Sequence, residues 1–355
     1  MKTFDEVFVD KTKYGVKVQT SEYGKSGAHI IVDQGQSQIA GYTDREDGLF
    51  KEVPAIVFGD HTRVIKYVNE PFFLGADGLK VLRSKDENAN YKYLYYALKN
   101  AKIPDTGYNR HFKWLKKIQI EYPDSNEQAK IVKILDEASY IISKKKAEIQ
   151  ALDNLIRARF VELFGDPVTN PKNLPVVILR ELSRLITKGA SPSWQGFSYT
   201  EDSSQTLFIT SENVREGYID LSSPKYVEDG FNEKQNRSMI HKGDFLINIV
   251  GASIGRAAQF ELDCKANMNQ AAALVRIDDN RIRDKYLLVY LNSERAQQMY
   301  NSMKSDTGRA NLSLQDIADL SILLPEVNEQ IEFEIFVRQV DKSKIVAETE
   351  NHTAL

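Results

Sequence analysis

Cysteine is nearly absent from this 355-residue chain. Cys264 stands alone, which excludes an internal disulfide framework and any zinc site built on several thiolates. No apolar run approaches the roughly 18 residues a membrane-spanning helix needs, and Met1-Lys2-Thr3-Phe4-Asp5-Glu6 carries acids where a signal peptide would carry its apolar core. A cytoplasmic protein is the expectation. Gly (19) and Pro (10) are sparse, and 42% apolar with 27% charged residues is an ordinary globular balance, which excludes a disordered or collagen-like chain. A strong excess of either charge is missing too: the formal net charge is −3. Residues 1–125 carry 19 bases against 17 acids, residues 126–163 carry 7 against 6, residues 164–325 carry 18 against 20, and residues 326–355 carry 3 against 7. No segment is a basic tail, so binding to nucleic acid would rest on local clusters or on partner subunits.

What the chain does have is a repeat. Tyr122-Pro123-Asp124-Ser125-Asn126-Glu127-Gln128 returns as Leu324-Pro325-Glu326-Val327-Asn328-Glu329-Gln330 at an offset of 202. Ile118-Gln119-Ile120 matches Leu320-Ser321-Ile322 at the same offset, and Thr106-Gly107 matches Thr307-Gly308 with one gap. Several spaced matches at one offset indicate duplication.

Each copy leads into a helix. Ile131, Leu135, Ala138, Ile142, Ile149, Leu152, Ile156 and Leu163 step by threes and fours, the seam of a helix that packs along a partner helix. Ser125 and Gln128 suggest a capping box at its start, and Phe164-Gly165-Asp166-Pro167 a glycine cap and a proline stop. At 1.5 Å per residue, residues 126–163 would form a rod on the order of 57 Å long. In the second copy Phe333, Val337 and Val340 stand where Ile131, Leu135 and Ala138 stood. Lys344 then replaces Ile142, so a shorter helix is expected. The four parts are thus 1–124, 125–164, 165–325 and 326–355.

The segments before the helices read as short strands: residues 28–32, 53–58 and 62–68 in the first, 206–210 and 244–250 in the second. Residues 91–99 and 284–291 read as helices. The fold class is α+β: two mixed, strand-rich globules, each followed by a long helix.

Catalytic motifs are wanting. Gly251-Ala252-Ser253-Ile254-Gly255 fits a serine-hydrolase elbow, but that elbow needs a following helix and a histidine base. Here the next residues are strand-like and the sole downstream histidine is His352. A tight glycine turn is expected instead. Asp124, Glu127 and Lys130 lack nuclease spacing and read as a helix cap. No phosphate-binding loop or dinucleotide fingerprint occurs, and His29, His61, His111, His241 and His352 lack metal-ligand spacing.

The two Pro-x-x-Asn-Glu-Gln helix starts resemble the specificity (S) subunit of Type I restriction-modification systems. So do the Leu163-Phe164-Gly165-Asp166-Pro167 helix end, Lys188-Gly189-Ala190-Ser191-Pro192-Ser193, Gly243-Asp244-Phe245-Leu246, the 251–255 turn and Asn269-Gln270. The first globule has no clear counterpart of the Gly-Ala-Ser-Pro-Ser opening. The resemblance implies two target-recognition domains, each reading one half of a bipartite, asymmetric site in double-stranded DNA. It implies helices paired as an antiparallel coiled coil in a pseudo-two-fold repeat, and docking of two methyltransferase (M) subunits, with R subunits joining in the restriction complex. This chain would bind no cofactor. S-adenosylmethionine would sit on the M subunits, and ATP and Mg on the R subunits. Helix pairing would use Ile131, Leu135, Ala138, Ile142, Phe333, Val337 and Val340.

Base readout needs polar side chains on glycine-rich loops, where paired hydrogen bonds to base edges are possible. Candidates in the first globule are Gln34, Gln36, Gln38, Tyr42, His61, Arg63, Asn109 and Arg110. In the second they are Lys188, Ser191, Ser193, Trp194, Asn213, Arg256, Asn269, Gln270, Arg309 and Asn311. Tyr93, Tyr95 and Tyr96 read as packing residues, and Lys144-Lys145-Lys146 as a solvated face or a phosphate or M-subunit contact. The alternatives are a scaffold whose globules bind protein, or a hydrolase around Ser253.

Overall fold

A computed structural model describes residues 1–75, 77–107, 109–303 and 311–353. The chain divides into two compact units that meet within one helix, between Lys144 and Lys145.

The first unit contains β1 (Lys2–Thr3), α1 (Phe4–Val7), β2 (Phe8–Asp10), β3 (His29–Val32), β4 (Gly41–Thr43), β5 (Ala55–Gly59), β6 (Ile65–Val68), β7 (Phe72–Leu74) and β8 (Leu79–Ser84). After these come α2 (Tyr91–Lys99), α3 (Phe112–Leu115) and β9 (Gln119–Ile120). One sheet has the order β2-β8-β5-β6, all antiparallel, and a second β4-β3-β7, with β3 and β7 parallel. The run Ala-Ile-Val-Phe-Gly of β5 is wholly buried because this strand is covered on both faces; such strands read as continuous apolar runs rather than alternations. β1 pairs with β9, so the start of the chain is stitched to the segment that enters the long helix.

That helix, α4, runs Ser125–Phe164, 40 residues or about 60 Å. Its cap is not the predicted Ser125–Gln128 box. The Asp124 carboxylate accepts from the amides of Asn126 (2.9 Å) and Glu127 (3.0 Å), while Gln128 turns back and donates to the Pro123 carbonyl at 2.9 Å. One carboxylate oxygen accepts both amides, and its negative charge is favoured at the positive end of the helix dipole. The far end stops as expected: Gly165 has φ +81° and its amide bonds Val161 O at 2.8 Å.

The second unit contains β10 (Val176–Ile178), α5 (Leu179–Leu182), β11 (Ser183–Lys188), α6 (Pro192–Gln195), β12 (Tyr199–Thr200), β13 (Thr206–Ile209), β14 (Tyr226–Val227), α7 (Gly230–Lys234) and β15 (Phe245–Asn248). It continues with β16 (Ala257–Gln259), β17 (Ala266–Met268), β18 (Ala272–Ile277), α8 (Asp284–Leu291), α9 (Glu294–Met303), α10 (Leu314–Ala318), β19 (Ser321–Leu323) and α11 (Val327–Thr353). Its sheets are β11-β18-β15-β16 and β12-β14-β13-β17, with β13 and β17 parallel, and β10 pairs with β19. Sheet for sheet, this is the topology of the first unit with one strand added. The duplication therefore lies in the architecture as well as in the sequence.

Within the second unit α11 (27 residues) packs antiparallel against the last five turns of α4. Phe160, Phe164, Tyr286 and Phe333 make one aromatic cluster, with ring centroids 4.8–5.6 Å apart, and Val337 and Val340 join it with Leu152 and Ile156. Arg159 bonds Glu332, and Lys344 reaches Asp153 at 2.6 Å. Within the second unit, Asp153 and Arg159 of α4 thus bond α11, and Leu152, Ile156, Phe160, Leu163 and Phe164 share one core with it. Ile131 packs into the core of the first unit with Tyr93, Leu94 and Ile120; Leu135 and Ala138 are half-buried, and Ile142 is exposed.

Candidate nucleic-acid interface

In the first unit three turns converge at the ends of β3, β5 and β7. Gln34 holds them together. Its amide donates to Asp77 O (3.0 Å), its side-chain oxygen accepts from His61 N (3.2 Å), and its carbonyl accepts from the Thr62 hydroxyl (2.6 Å). Beneath the loop lies Lys66, only 2% exposed. It donates to Ser37 O at 2.5 Å and lies 3.6 Å from Asp33. Burial pushes this ammonium below its usual range, and Asp33 opposes the shift. Gln38 donates to Tyr67 O at 2.7 Å. The loop of residues 33–40 is therefore pinned at three points.

Arg63 occupies the left-handed region (φ +62°), uncommon for a long side chain. From there it bonds Asp105 at 2.6 Å and Ile103 O at 3.4 Å, tying the β5–β6 turn to the segment that carries Asn109 and Arg110. Asn109 donates to Thr106 O. The buried His111 binds the end of β5 through its amide to Asp60 O, 2.8 Å. Tyr42 is half-buried on β4. Gln34, Gln38, Arg63 and Asn109 are fastened within the chain, and Gln36, Gln38, Asn109 and Arg110 are exposed.

The second unit repeats the arrangement. Asn269 N bonds Ile209 O at 3.1 Å, joining the ends of β13 and β17, and the Asn269 side chain accepts from Ala271 N at 3.0 Å. Asn213 is buried in the turn after β13. It accepts from Thr210 N (2.9 Å) and the Thr210 hydroxyl (3.0 Å) and donates to Asp220 O (2.9 Å). Leu312 N bonds Ile249 O at 2.9 Å, as His111 N bonds Asp60 O, and this brings Asn311 to the end of β15. Lys188 ends β11. After it Gly189 lies so close to the β17 end that a Cβ would come within 1.7 Å of Met268 O; this contact explains the glycine of Lys188-Gly189-Ala190-Ser191. The Ser191 and Ser193 hydroxyls are 3.0 Å apart, and Trp194 is 81% exposed. Gln270 keeps a buried side-chain oxygen without a hydrogen bond. Arg309 lies outside the described residues.

The 251–255 segment is the expected glycine turn. Gly251 and Gly255 have positive φ, Ser253 accepts from the Asn248 amide at 3.1 Å, and a short 3₁₀ turn takes the place of the elbow's helix. Beside it, Arg256 lines a cleft of about 430 Å³ with Arg157, Glu216, Asn292 and Glu294. No group of three or more His, Cys, Asp or Glu side chains among the described residues is placed to hold a metal ion, and no helix among them is long and apolar enough to cross a membrane. Tyr93 and Tyr96 pack as expected, their hydroxyls bonding Glu121 O and Asp136.

Sequence reasoning did not single out Lys66 or Asn248, and it marked Gln330 only as part of the repeat. Lys66 sits in a strand that alternates Ile-Lys-Tyr-Val and reads as an outward polar residue. Gln330 is fully buried and donates to Pro325 O (2.8 Å) and Arg281 O (2.9 Å) while accepting from Arg283 N (2.8 Å). Gln128 makes the same bond back to Pro123, which accounts physically for the repeated Pro-x-x-Asn-Glu-Gln motif.

Two copies of one topology with polar turns at matching ends define a duplicated protein built of two similar modules. The Type I restriction modification DNA specificity domain matches residues 3–152 and 188–354, and the chain belongs to that family. The Escherichia coli Type I restriction enzyme EcoR124I/EcoR124II specificity subunit is 24% identical over 335 residues, 90% of this chain and 80% of that protein. The Escherichia coli EcoBI specificity subunit is 28% identical over 130 residues, 37% of this chain and 27% of that one. In fold, the chain is similar to a Type I restriction-modification S subunit from M. genitalium (TM-score 0.52, 16% identity, 99% of this chain and 92% of that one). Specificity subunits are non-catalytic, so this chain recognises DNA sequence rather than transforming it, and the hydrolase reading of Ser253 is withdrawn.

Proposed function

We propose that each unit reads one half of a bipartite, asymmetric DNA site, and that the chain docks two methyltransferase subunits and, through the restriction complex, R subunits. The observation that carries this reading is the repeated placement of polar turns at the ends of the parallel strand pair, once per unit, on cores that differ in sequence but not in topology. Two similar frames with different loop side chains suit two different half-sites. Gln36 and Arg110 in the first unit, and Lys188, Trp194, Arg256 and Asn311 in the second, are the exposed side chains that would meet bases or phosphates. Gln34, Lys66, Asn213 and Asn269 hold the loops. S-adenosylmethionine would belong to the methyltransferase partners, and ATP with Mg to the R subunits.

The test is co-expression with a Type I methyltransferase subunit from the same host, followed by methylation mapping. A split motif should be methylated only when both proteins are present. Replacing residues 170–320 with the matching segment of a relative should change one half of the motif and leave the other. Both halves changing together would contradict the two-reader proposal.

A further inference from the structure

The first unit carries a cluster of cations that its duplicate lacks. α3 and the two residues after it read Phe112-Lys113-Trp114-Leu115-Lys116-Lys117. Lys113, Lys116 and Lys117 are exposed, and among the described residues none of the three makes an ion pair with a carboxylate. Their ammonium groups lie over aromatic rings: those of Lys113 and Lys117 are 5.5 and 4.9 Å from the Trp114 ring centroid, and that of Lys116 is 5.4 Å from that of Phe112. Cation–π contacts that orient the side chains reduce the freedom they would lose on meeting a ligand.

The segment is fixed in place. Leu115 is fully buried, Phe112 meets Phe4 edge-on at 5.8 Å, and Phe112 N bonds the buried Asp60 carboxylate at 2.7 Å. Asp60 follows β5, immediately before His61, whose amide bonds Gln34. The three cations are therefore tied through two residues to the turns that carry the base-reading candidates.

At the 202-residue offset Lys113 and Lys117 correspond to Gln315 and Asp319 of the second unit, and residues 311–323 there contain no Lys or Arg. Asp316 closes a capping box with Ser313, and Asp319 bonds Arg180. One copy of the duplicated segment presents three cations and the other presents acids. Three like charges within five residues repel one another in the free protein, and an anion spread along a line relieves that repulsion.

We propose that Lys113, Lys116 and Lys117 contact the DNA backbone phosphates beside the half-site read by the first unit, so that this unit supplies more of the salt-dependent affinity than the second. This rests on the DNA-recognition reading above. Each phosphate neutralised releases counterions and contributes about 0.9 to the slope of log K against log salt.

The experiment measures binding of the full chain to a fluorescent duplex between roughly 50 and 200 mM salt. For K113Q/K116Q/K117Q the slope should fall by about two to three, for K117Q alone by about one, and the triple Lys→Arg variant should keep the wild-type slope. Matching urea midpoints verify that the variants are folded. A wild-type chain that binds no duplex at the lowest salt would remove the DNA reading itself. Wild-type binding with an unchanged slope in the triple Gln variant would overturn the patch alone. The same unchanged slope with loss of the co-purifying methyltransferase subunit would assign the lysines to a protein surface instead.

Discussion

At the residue scale, the motif positions are explained by bonds rather than by direct readout. Asp244 in Gly243-Asp244-Phe245-Leu246 is 2% exposed. It accepts from Arg276 through both oxygens, each at 2.7 Å, and from His241 N, also at 2.7 Å. The paired carboxylate raises the Arg276 pKa above its ordinary value, against the opposing effect of burial. Removing the acid strands a half-buried guanidinium. Asp244→Ala should therefore cost about 3–5 kcal/mol in urea unfolding of the chain, while Asp244→Asn, which keeps the hydrogen bond to His241 N, should cost less. A loss under 1 kcal/mol would show that water replaces the carboxylate freely.

At the scale of elements, the join between α2 and α4 in the first unit is ionic. Lys92 reaches Asp136 at 2.5 Å, and the Tyr96 hydroxyl donates to the other oxygen at 2.8 Å. The hydrogen bond from Lys92 holds the Asp136 carboxyl below its usual pKa. A depressed folded-state pKa adds stability above the unfolded value, near 4, and that stability is lost as pH falls through the folded value. With both partners about a third or more exposed, water screens the pair to about 0.5–1 kcal/mol. Asp136→Asn should be less stable than wild type by that amount at pH 7, and the two unfolding curves should converge in acid below the folded-state pKa. A difference that persisted there would place the effect in packing rather than charge.

At the scale of the whole molecule, the proposal makes α4 a spacer between two readers. Ile142 is exposed, and the chain divides two residues later, so an insertion after it disturbs neither core. Four added residues lengthen the helix by about 6 Å and nearly preserve the seam. The non-contacted gap in the methylated motif should lengthen by one or two base pairs, at about 3.4 Å each, with both half-sites unchanged. Methylation mapping of the insertion variant reads this directly. A changed half-site at constant spacing would mean that the helix reads DNA instead of measuring it.

The duplication, the two long helices and the placement of α2 and α8 were legible because each rests on a local signal: a repeated string, a three-and-four apolar period, a glycine after the last turn. Tyr91–Lys99 and Asp284–Leu291 came out at the expected residues for that reason. Short strands such as β17 and β18 were missed because segments of three to six residues carry no period of their own until a neighbouring strand pairs with them. The loop candidates were located by their glycines and amides, but their roles were not readable. Gln34, Gln36 and Gln38 are the same residue type in one glycine-rich stretch, and only the tertiary structure decides that Gln34 and Gln38 close bonds to Asp77 O and Tyr67 O. The sequence by itself determined the repeat and the type of each main element, since those follow from neighbours along the chain. Which polar groups are free to meet a ligand was decided by contacts between residues 29 to 43 positions apart, because hydrogen-bond partners are matched in space.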